Sequence, residues 1–211
     1  MEGDDGDFHK AFSTPLAVHD DDDAKAQLLV PGAQWFVSYE ARTGKMLWHV
    51  NHGEGFSNVA APVYHNGVSY LITGFTKPEL WAIPISSRGE LKVENVLWEQ
   101  KKQISKKSSP VIAGNEIYVI SDKGVLSCVD ADSGEIHWVK RLGGNYSASP
   151  ILAGGLLYFC SHEGKTTVVR ANPEKYQEIA ENQLDGQLMA SPIAVNGTLY
   201  LRSDEHLYRI R

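Results

Sequence analysis

The feature that most constrains this chain is a pattern that returns four times. Pro62, Pro110, Pro150 and Pro192 are each followed, eight positions on, by Tyr70, Tyr118, Tyr158 and Tyr200. At the fourth and fifth positions lie Asn66-Gly67, Gly114-Asn115, Gly154-Gly155 and Asn196-Gly197, and eleven positions on stand the hydroxyls of Thr73, Ser121, Ser161 and Ser203. Glycine and asparagine tolerate positive φ, so each pair predicts a two-residue hairpin turn. A fifth copy starts at Thr14-Pro15, its hairpin lengthened by the acidic run Asp20 to Asp23. Successive prolines are 47, 48, 40 and 42 residues apart, in or near the range of propeller blades.

The fullest copy, Ser108 to Trp138, reads as four strands. Val111 to Ala113 is short and apolar; Ile117 to Ile120 is apolar on both faces, as a strand between two layers is. Ser121 to Gly124 turns the chain into Val125 to Val129. Asp132-Ser133-Gly134 then reverses it, with Gly134 suited to the left-handed position of a bulged hairpin, and Glu135 to Lys140 carries Trp138. The expected fold is all-β: a propeller of four-stranded antiparallel blades, about five repeats, in an open or incomplete ring. After a tail at 1–12, repeats are expected at 13–50, 60–100, 108–142, 147–184 and 189–211. The second expands its last hairpin through Pro84 to Val96 and still ends on Trp98. The fourth has lost its tryptophan, with Ile179 near the missing ring, and the fifth stops after three strands. No helix is required.

Composition removes several classes of function. A net charge of −6 argues against a nucleic-acid surface, which needs clustered Lys and Arg. The basic group Lys101, Lys102, Lys106 and Lys107 reads as a solvated loop. No run of apolar residues is long enough to span a membrane. Cys128 and Cys160, on strands of successive repeats, read as buried free thiols. Met1 to Lys10 is acidic and contains glycine, unlike a signal peptide.

The turn-and-tryptophan segments CVDADSGEIHW (Cys128 to Trp138) and SYEARTGKMLW (Ser38 to Trp48) share glycine and tryptophan slots, Gly44 with Trp48 and Gly134 with Trp138. They resemble the AxDxxTGxxxW signature of pyrroloquinoline-quinone-type propeller repeats, found in quinoprotein dehydrogenases and in the outer-membrane assembly lipoprotein. The first copy departs by carrying Glu40 where the family prefers Asp. The resemblance implies docking roles for these residues and for Trp98: the tryptophan wedges between blades and the glycine permits the turn. It also implies a bacterial, periplasmic or exported protein. That habit agrees with the leaderless start if the chain is the C-terminal part of a longer one.

Fold does not dictate activity, so each constellation stands on its own chemistry. Asp130-x-Asp132-x-Gly134 opens like a calcium loop but lacks the later ligands. The Asp20 to Asp23 run reads as a solvated hairpin tip. His49 and His52 have the spacing of a zinc pair, with no Cys or further His beside them to complete four ligands. No phosphate loop, nucleophile elbow or Ser/His/Asp set is nominated. The resemblance also carries a dehydrogenase reading, but family dehydrogenases are longer and commonly have adjacent cysteines, whereas these are 32 positions apart.

The expectation is therefore a noncatalytic scaffold or binding module for a protein or polar ligand, with no cofactor and no metal. A quinone-dependent dehydrogenase fragment and a carbohydrate-binding or sensor propeller stand as alternatives, the latter drawing on Phe56, Tyr146 and Phe75. Small pairs before each proline (Ser13-Thr14, Ala60-Ala61, Ser108-Ser109, Ala148-Ser149, Ala190-Ser191) suit converging innermost strands. Loops leading into those strands, with the facing turns, would then form an axial mouth. It gathers Phe56, Asn58, Lys106, Lys107, Asp122, Asn145, Tyr146, His162, Glu163 and Gln187. Exposed blade faces are expected to favour self-association.

Overall fold

The structure, a computed structural model, describes residues 10–19, 26–53 and 57–211. The chain divides into two compact units, Met1–Lys106 and Lys107–Arg211. Among the described residues the regular structure is β apart from one turn of 3-10 helix, Val93–Asn95. Among the described residues no helix is long and apolar enough to cross a membrane.

The first unit holds two sheets. In one, β1 (Leu16–Val18), β2 (Gln27–Pro31), β3 (Trp35–Glu40) and β4 (Met46–Asn51) pair antiparallel in chain order. In the other, β5 (Val63–His65), β6 (Val68–Ile72) and β7 (Leu80–Pro84) are completed by β9 (Trp98–Gln100). The expanded hairpin of the second repeat does something the repeat pattern does not announce. Its strand β8 (Gly89–Leu91) leaves its own sheet and pairs parallel with β4, Trp48 opposite Gly89 and Val50 opposite Leu91. The first sheet thus has five strands instead of four, because the edge of β4 offered unpaired backbone that the long hairpin could reach. Trp48 is left 1% exposed, in a core with Phe36, Leu71, Trp81 and Ile83.

The second unit holds three sheets. Strands β10 (Val111–Ala113), β11 (Glu116–Ile120), β12 (Val125–Asp130) and β13 (Ile136–Arg141) form one. Strands β14 (Ile151–Ala153), β15 (Leu156–Cys160), β16 (Lys165–Arg170) and β17 (Glu178–Gln183) form the next. The last has three, β18 (Ile193–Val195), β19 (Thr198–Arg202) and β20 (Leu207–Ile210).

The recurring residues have recurring jobs. Asn66-Gly67, Gly154-Gly155 and Asn196-Gly197 all sit at positive φ, the two-residue turn whose twist matches its strands. In three repeats the buried hydroxyl closes the second turn: Ser121 Oγ accepts from Val125 N at 3.1 Å, Thr73 Oγ1 from Glu79 N at 2.9 Å and Ser203 Oγ from His206 N at 3.0 Å, whereas Ser161 does not close its turn in this way. Gly44 and Gly134 take φ of 70° and 73°. They follow register shifts at Ser38/Tyr39 and Cys128/Val129, a bulged hairpin in each case.

Within the second unit, serines stitch the innermost strands together. Ser109 N donates to Ser149 Oγ, and Ser149 N to Ser191 Oγ, both at 2.9 Å. This is why small residues precede each proline: the hydroxyl must reach a neighbouring backbone N–H that has no ladder partner of its own. In the first unit Ser13, two residues before Pro15, instead donates its hydroxyl to Ala60 O at 2.8 Å.

The other two tryptophans of the repeat motif, Trp98 and Trp138, are less enclosed than Trp48. Trp138, opposite Cys128, is half-buried; its Nε1 donates to Asn172 O at 2.9 Å, and its ring meets Tyr118 and Tyr176 at 6.0 and 5.8 Å. Trp98, also half-buried, tilts against Tyr70 at 5.7 Å. In the next sheet the slot of Trp138 is held by Ala180, opposite Val168, while Ile179 points to solvent. Cys128 and Cys160 are free and buried.

Candidate functional site

Loops of the second unit bring four of the ten mouth residues together. Asp122 lies in the β11–β12 turn, and its carbonyl accepts from Tyr146 N at 3.1 Å. Asn145 precedes β14, and its carbonyl accepts from His162 N at 2.8 Å, which fastens the β15–β16 turn to the entering loop. The Asn145 side chain donates to Glu163 Oε1 at 2.8 Å, and its backbone N–H reaches both carboxylate oxygens at 3.1 Å. Lys123 Nζ donates to Asn145 Oδ1 at 3.0 Å. An ammonium, an amide and a carboxylate therefore stand in a row. Their placement depends on tight turns: a Cβ on Gly124 would collide with the Gly143 carbonyl, and one on Gly164 with the Leu184 carbonyl.

Electrostatics follow from these bonds. Burial alone would raise the Glu163 carboxyl, but donation from Asn145 side chain and backbone outweighs it and holds the group down to about 2. It stays an anion at any ordinary pH. Ser147 Oγ and His162 Nε2 are 2.7 Å apart, yet among the described residues no carboxylate bonds to the His162 ring. The pair orients the loop without the third member of a hydrolytic triad.

The same construction recurs one sheet on. Asp204 N donates to Gln187 O at 3.1 Å, and Gln187 N to Asp204 Oδ1 at 2.8 Å. Gln187 is exposed beside this turn.

Other expected members lie elsewhere. Tyr146 is 1% exposed and belongs to the core with Tyr118, Leu157 and Phe159; it supports the loop from beneath. Burial pushes its hydroxyl up to about 12. Asn58, in the first unit, is buried: its carbonyl accepts from Phe12 N at 2.7 Å and its Nδ2 donates to Gly32 O at 3.4 Å. Lys106 sits over the Phe75 ring at 5.0 Å, and Lys107 is half-buried at the start of the second unit. Phe56 and the Asp20 to Asp23 run lie outside the described residues.

The metal candidates are engaged otherwise. Asp130 Oδ1 accepts from Asp132 N, Ser133 N and Ser133 Oγ at 3.1, 2.7 and 2.8 Å, an Asx turn inside the blade hairpin. His52 stacks on Phe36 at 4.3 Å and meets Gly32 O at 3.3 Å, while His49 tilts against Trp35. Burial drops the His52 imidazole to about 4.

Sequence reasoning passed over Lys123, Ser147 and Asp204. A signal existed for the last: Asp204 lies twelve residues past Pro192, as Asp122 and His162 lie past Pro110 and Pro150.

Repeated antiparallel sheets, serine-stitched inner strands and a wedge tryptophan define a β-propeller repeat protein of the pyrroloquinoline-quinone-like kind. Residues 32–175 match the family described as outer membrane protein assembly factor BamB, and the chain belongs to that family. BamB from Moraxella catarrhalis is similar in structure, with a TM-score of 0.71 at 16% identity. That match covers 94% of this chain and 58% of the other, so this chain spans little more than half of its relative's length. The computationally designed Ika8 protein matches with a TM-score of 0.64 at 10% identity, over 96% of this chain and 70% of that one. The designed Ika4 protein gives 0.62 at 9% identity, over 80% and 100%. No curated protein sequence matches this one.

Proposed function

We propose that the chain is a noncatalytic scaffold that holds a protein partner during outer-membrane protein assembly, on the periplasmic side of that membrane. The observation that carries this reading is the row Lys123–Asn145–Glu163, a fixed set of charge and amide on loops locked by cross-turn hydrogen bonds. Rigid loops with a pre-set carboxylate lose little entropy on binding a polar surface. Charged rims of this type set specificity and association rate more than raw affinity. Family membership supplies the process, since its printed description is an assembly factor.

A sugar platform gains less support. Tyr146 is in the core and presents no open face, and Lys106 sits over the half-buried Phe75 ring.

The test uses co-purification of the chain with isolated outer-membrane assembly machinery. Lys123, Glu163 and Gln187 are replaced together by alanine, and a control carries Lys140, Glu174 and Lys175 replaced on the outer edge. The mouth variant is expected to lose at least tenfold in association rate, with the control unchanged and both folded by near-ultraviolet circular dichroism. Retention of the mouth variant and loss of the control would place binding on the outer edge instead.

A further inference from the structure

Tight loops hold the mouth of the second unit, and one of them carries a reactive dipeptide. The loop entering β14 runs Leu142-Gly143-Gly144-Asn145, and the loop entering β18 runs Leu184-Asp185-Gly186-Gln187. They are counterparts: Leu142 N donates to Gly124 O at 2.8 Å, and Leu184 N to Gly164 O at 3.0 Å. A glycine in the first loop is thus an aspartate in the second. Gly144, Asp185 and Gly186 are all exposed, so exposure here belongs to the place of the loop between two sheets.

An aspartate followed by glycine carries its own electrophile and nucleophile. The side-chain carboxyl lies within reach of the next backbone nitrogen, and glycine has no Cβ to obstruct the approach. In a folded chain the reaction depends on whether that carboxyl and that N–H are held elsewhere. Asp185 is exposed, and its carboxyl bonds to no group among the described residues. Its main-chain carbonyl accepts from Tyr208 Oη at 3.4 Å. The Gly186 N–H has no acceptor among the described residues. The other described aspartates differ. Asp122, Asp130 and Asp204 are followed by Lys123, Ala131 and Glu205. Asp132 precedes the small Ser133, but Ser133 N donates to Asp130 Oδ1 at 2.7 Å and Asp132 Oδ2 accepts from Asn115 Nδ2 at 2.9 Å.

We propose that Asp185-Gly186 is a self-modification site at which the folded chain forms isoaspartate. Gly186 N attacks Asp185 Cγ; the new C–N bond closes a succinimide, and the amide proton and the carboxyl hydroxyl leave as one water. A second water then opens the ring. Cleavage at Cγ restores aspartate, whereas cleavage at the main-chain carbonyl leaves the chain running through Cβ and Cγ. Nothing is oxidised or reduced, and the mass is unchanged. The extra methylene enters a loop without slack: a Cβ on Gly186 would come within 2.4 Å of Asp204 Oδ1, and one on Gly164 within 2.7 Å of Gly186 O. Isoaspartate therefore releases Gln187 N from Asp204 Oδ1, which accepts from it at 2.8 Å, and loosens this part of the mouth. The modification needs no partner, so it stands or falls apart from the binding role proposed for the mouth.

The full chain is aged at neutral pH in heavy-oxygen water and mapped by mass spectrometry with electron-transfer fragmentation, which tells isoaspartate from aspartate. Each ring opening incorporates one heavy oxygen. Uptake at Asp185 is expected to be on the order of tenfold faster than at Asp132, and the isomerised fraction should show faster amide exchange at Gln187. Asp185→Glu, whose carboxyl would have to close a larger and slower-forming ring, should show no uptake at this position and constant Gln187 exchange during ageing. Mapping by site separates these events from Asn66-Gly67 and Asn196-Gly197, which change mass on losing the side-chain nitrogen, and from Asp5-Gly6, outside the described residues. Uptake at Asp185 no faster than at Asp132, or Gln187 exchange that rises equally in Asp185→Glu, overturns the proposal.

Discussion

Trp138→Ala is the sharpest probe of how the blades are held. The ring is half-buried, meets Tyr118 and Tyr176, and its Nε1 donates to Asn172 O at 2.9 Å, so it fastens β13 to the turn before β17. Truncating an enclosed tryptophan costs about 3–5 kcal/mol. Partial exposure puts Trp138 at the lower end, about 3 kcal/mol, of which the hydrogen bond supplies about 1. Trp48 provides the internal control. It is fully enclosed beneath β8, so Trp48→Ala should cost about 4–5 kcal/mol. Yet its Nε1 has no partner among the described residues. Phenylalanine should therefore be tolerated better at 48, where no bond is lost, than at 138. Hydrogen exchange read separately in the two units measures both comparisons. If Trp138→Ala costs under about 1 kcal/mol, or Phe is worse tolerated at 48, the wedge and its hydrogen bond are not what holds these sheets.

Three other outcomes are expected. Glu163 has its carboxyl depressed from 4.5 to about 2, so its stabilisation is present above about 4.5 and lost as pH falls through 2; Glu163→Gln should cost about 1 kcal/mol at pH 7, after solvent screening, and the difference should shrink towards zero as pH falls through about 2. A pH-independent difference in urea melts would discard the Asn145 bonds as its cause. Gly164→Ala meets both φ of +81° and the Leu184 carbonyl, whereas Gly155→Ala meets only φ of +74° in open space; the first should cost about 2–3 kcal/mol and the second about 1 by thermal melting. Ser149→Ala removes the acceptor for Ser109 N and should cost about 1–2 kcal/mol, with faster exchange at the Ser109 amide as the diagnostic signal.

Much of the fold could be read from residues whose demands are local. Asn66-Gly67 and Asn196-Gly197 need positive φ wherever they sit, and the Ser121 and Ser203 hydroxyls close turns within their own blades. What stayed hidden depends on a neighbour. Nothing in Gly89-Glu90-Leu91 says that it pairs with another repeat's β4, and that pairing decides why Trp48 is enclosed while Trp138 is not. The site was half legible for the same reason. Proline spacing located Asn145, His162 and Glu163 on facing loops, but Tyr146 points inward because the adjoining sheet offers Leu157 and Phe159 to cover it.

Burial along the repeated tyrosine shows how far this neighbour effect reaches. Tyr118 is enclosed by the sheet that follows it, while Tyr158 and Tyr200 are only half-buried. The last sheet continues the trend, with Ile193 and Leu207 exposed at 62% and 73%. Each blade is therefore a half-finished interface that depends on the next for its apolar face, as in other repeat proteins. Hydrogen bonding runs differently: the serine bonds from Ser109 to Ser191 persist without loss across all three sheets of the unit. Inner strands are thus fixed by polar bonds that recur at each step, while outer strands are fixed by whatever packs against them. A rigid inner edge holds Glu163 and Asn145 in place.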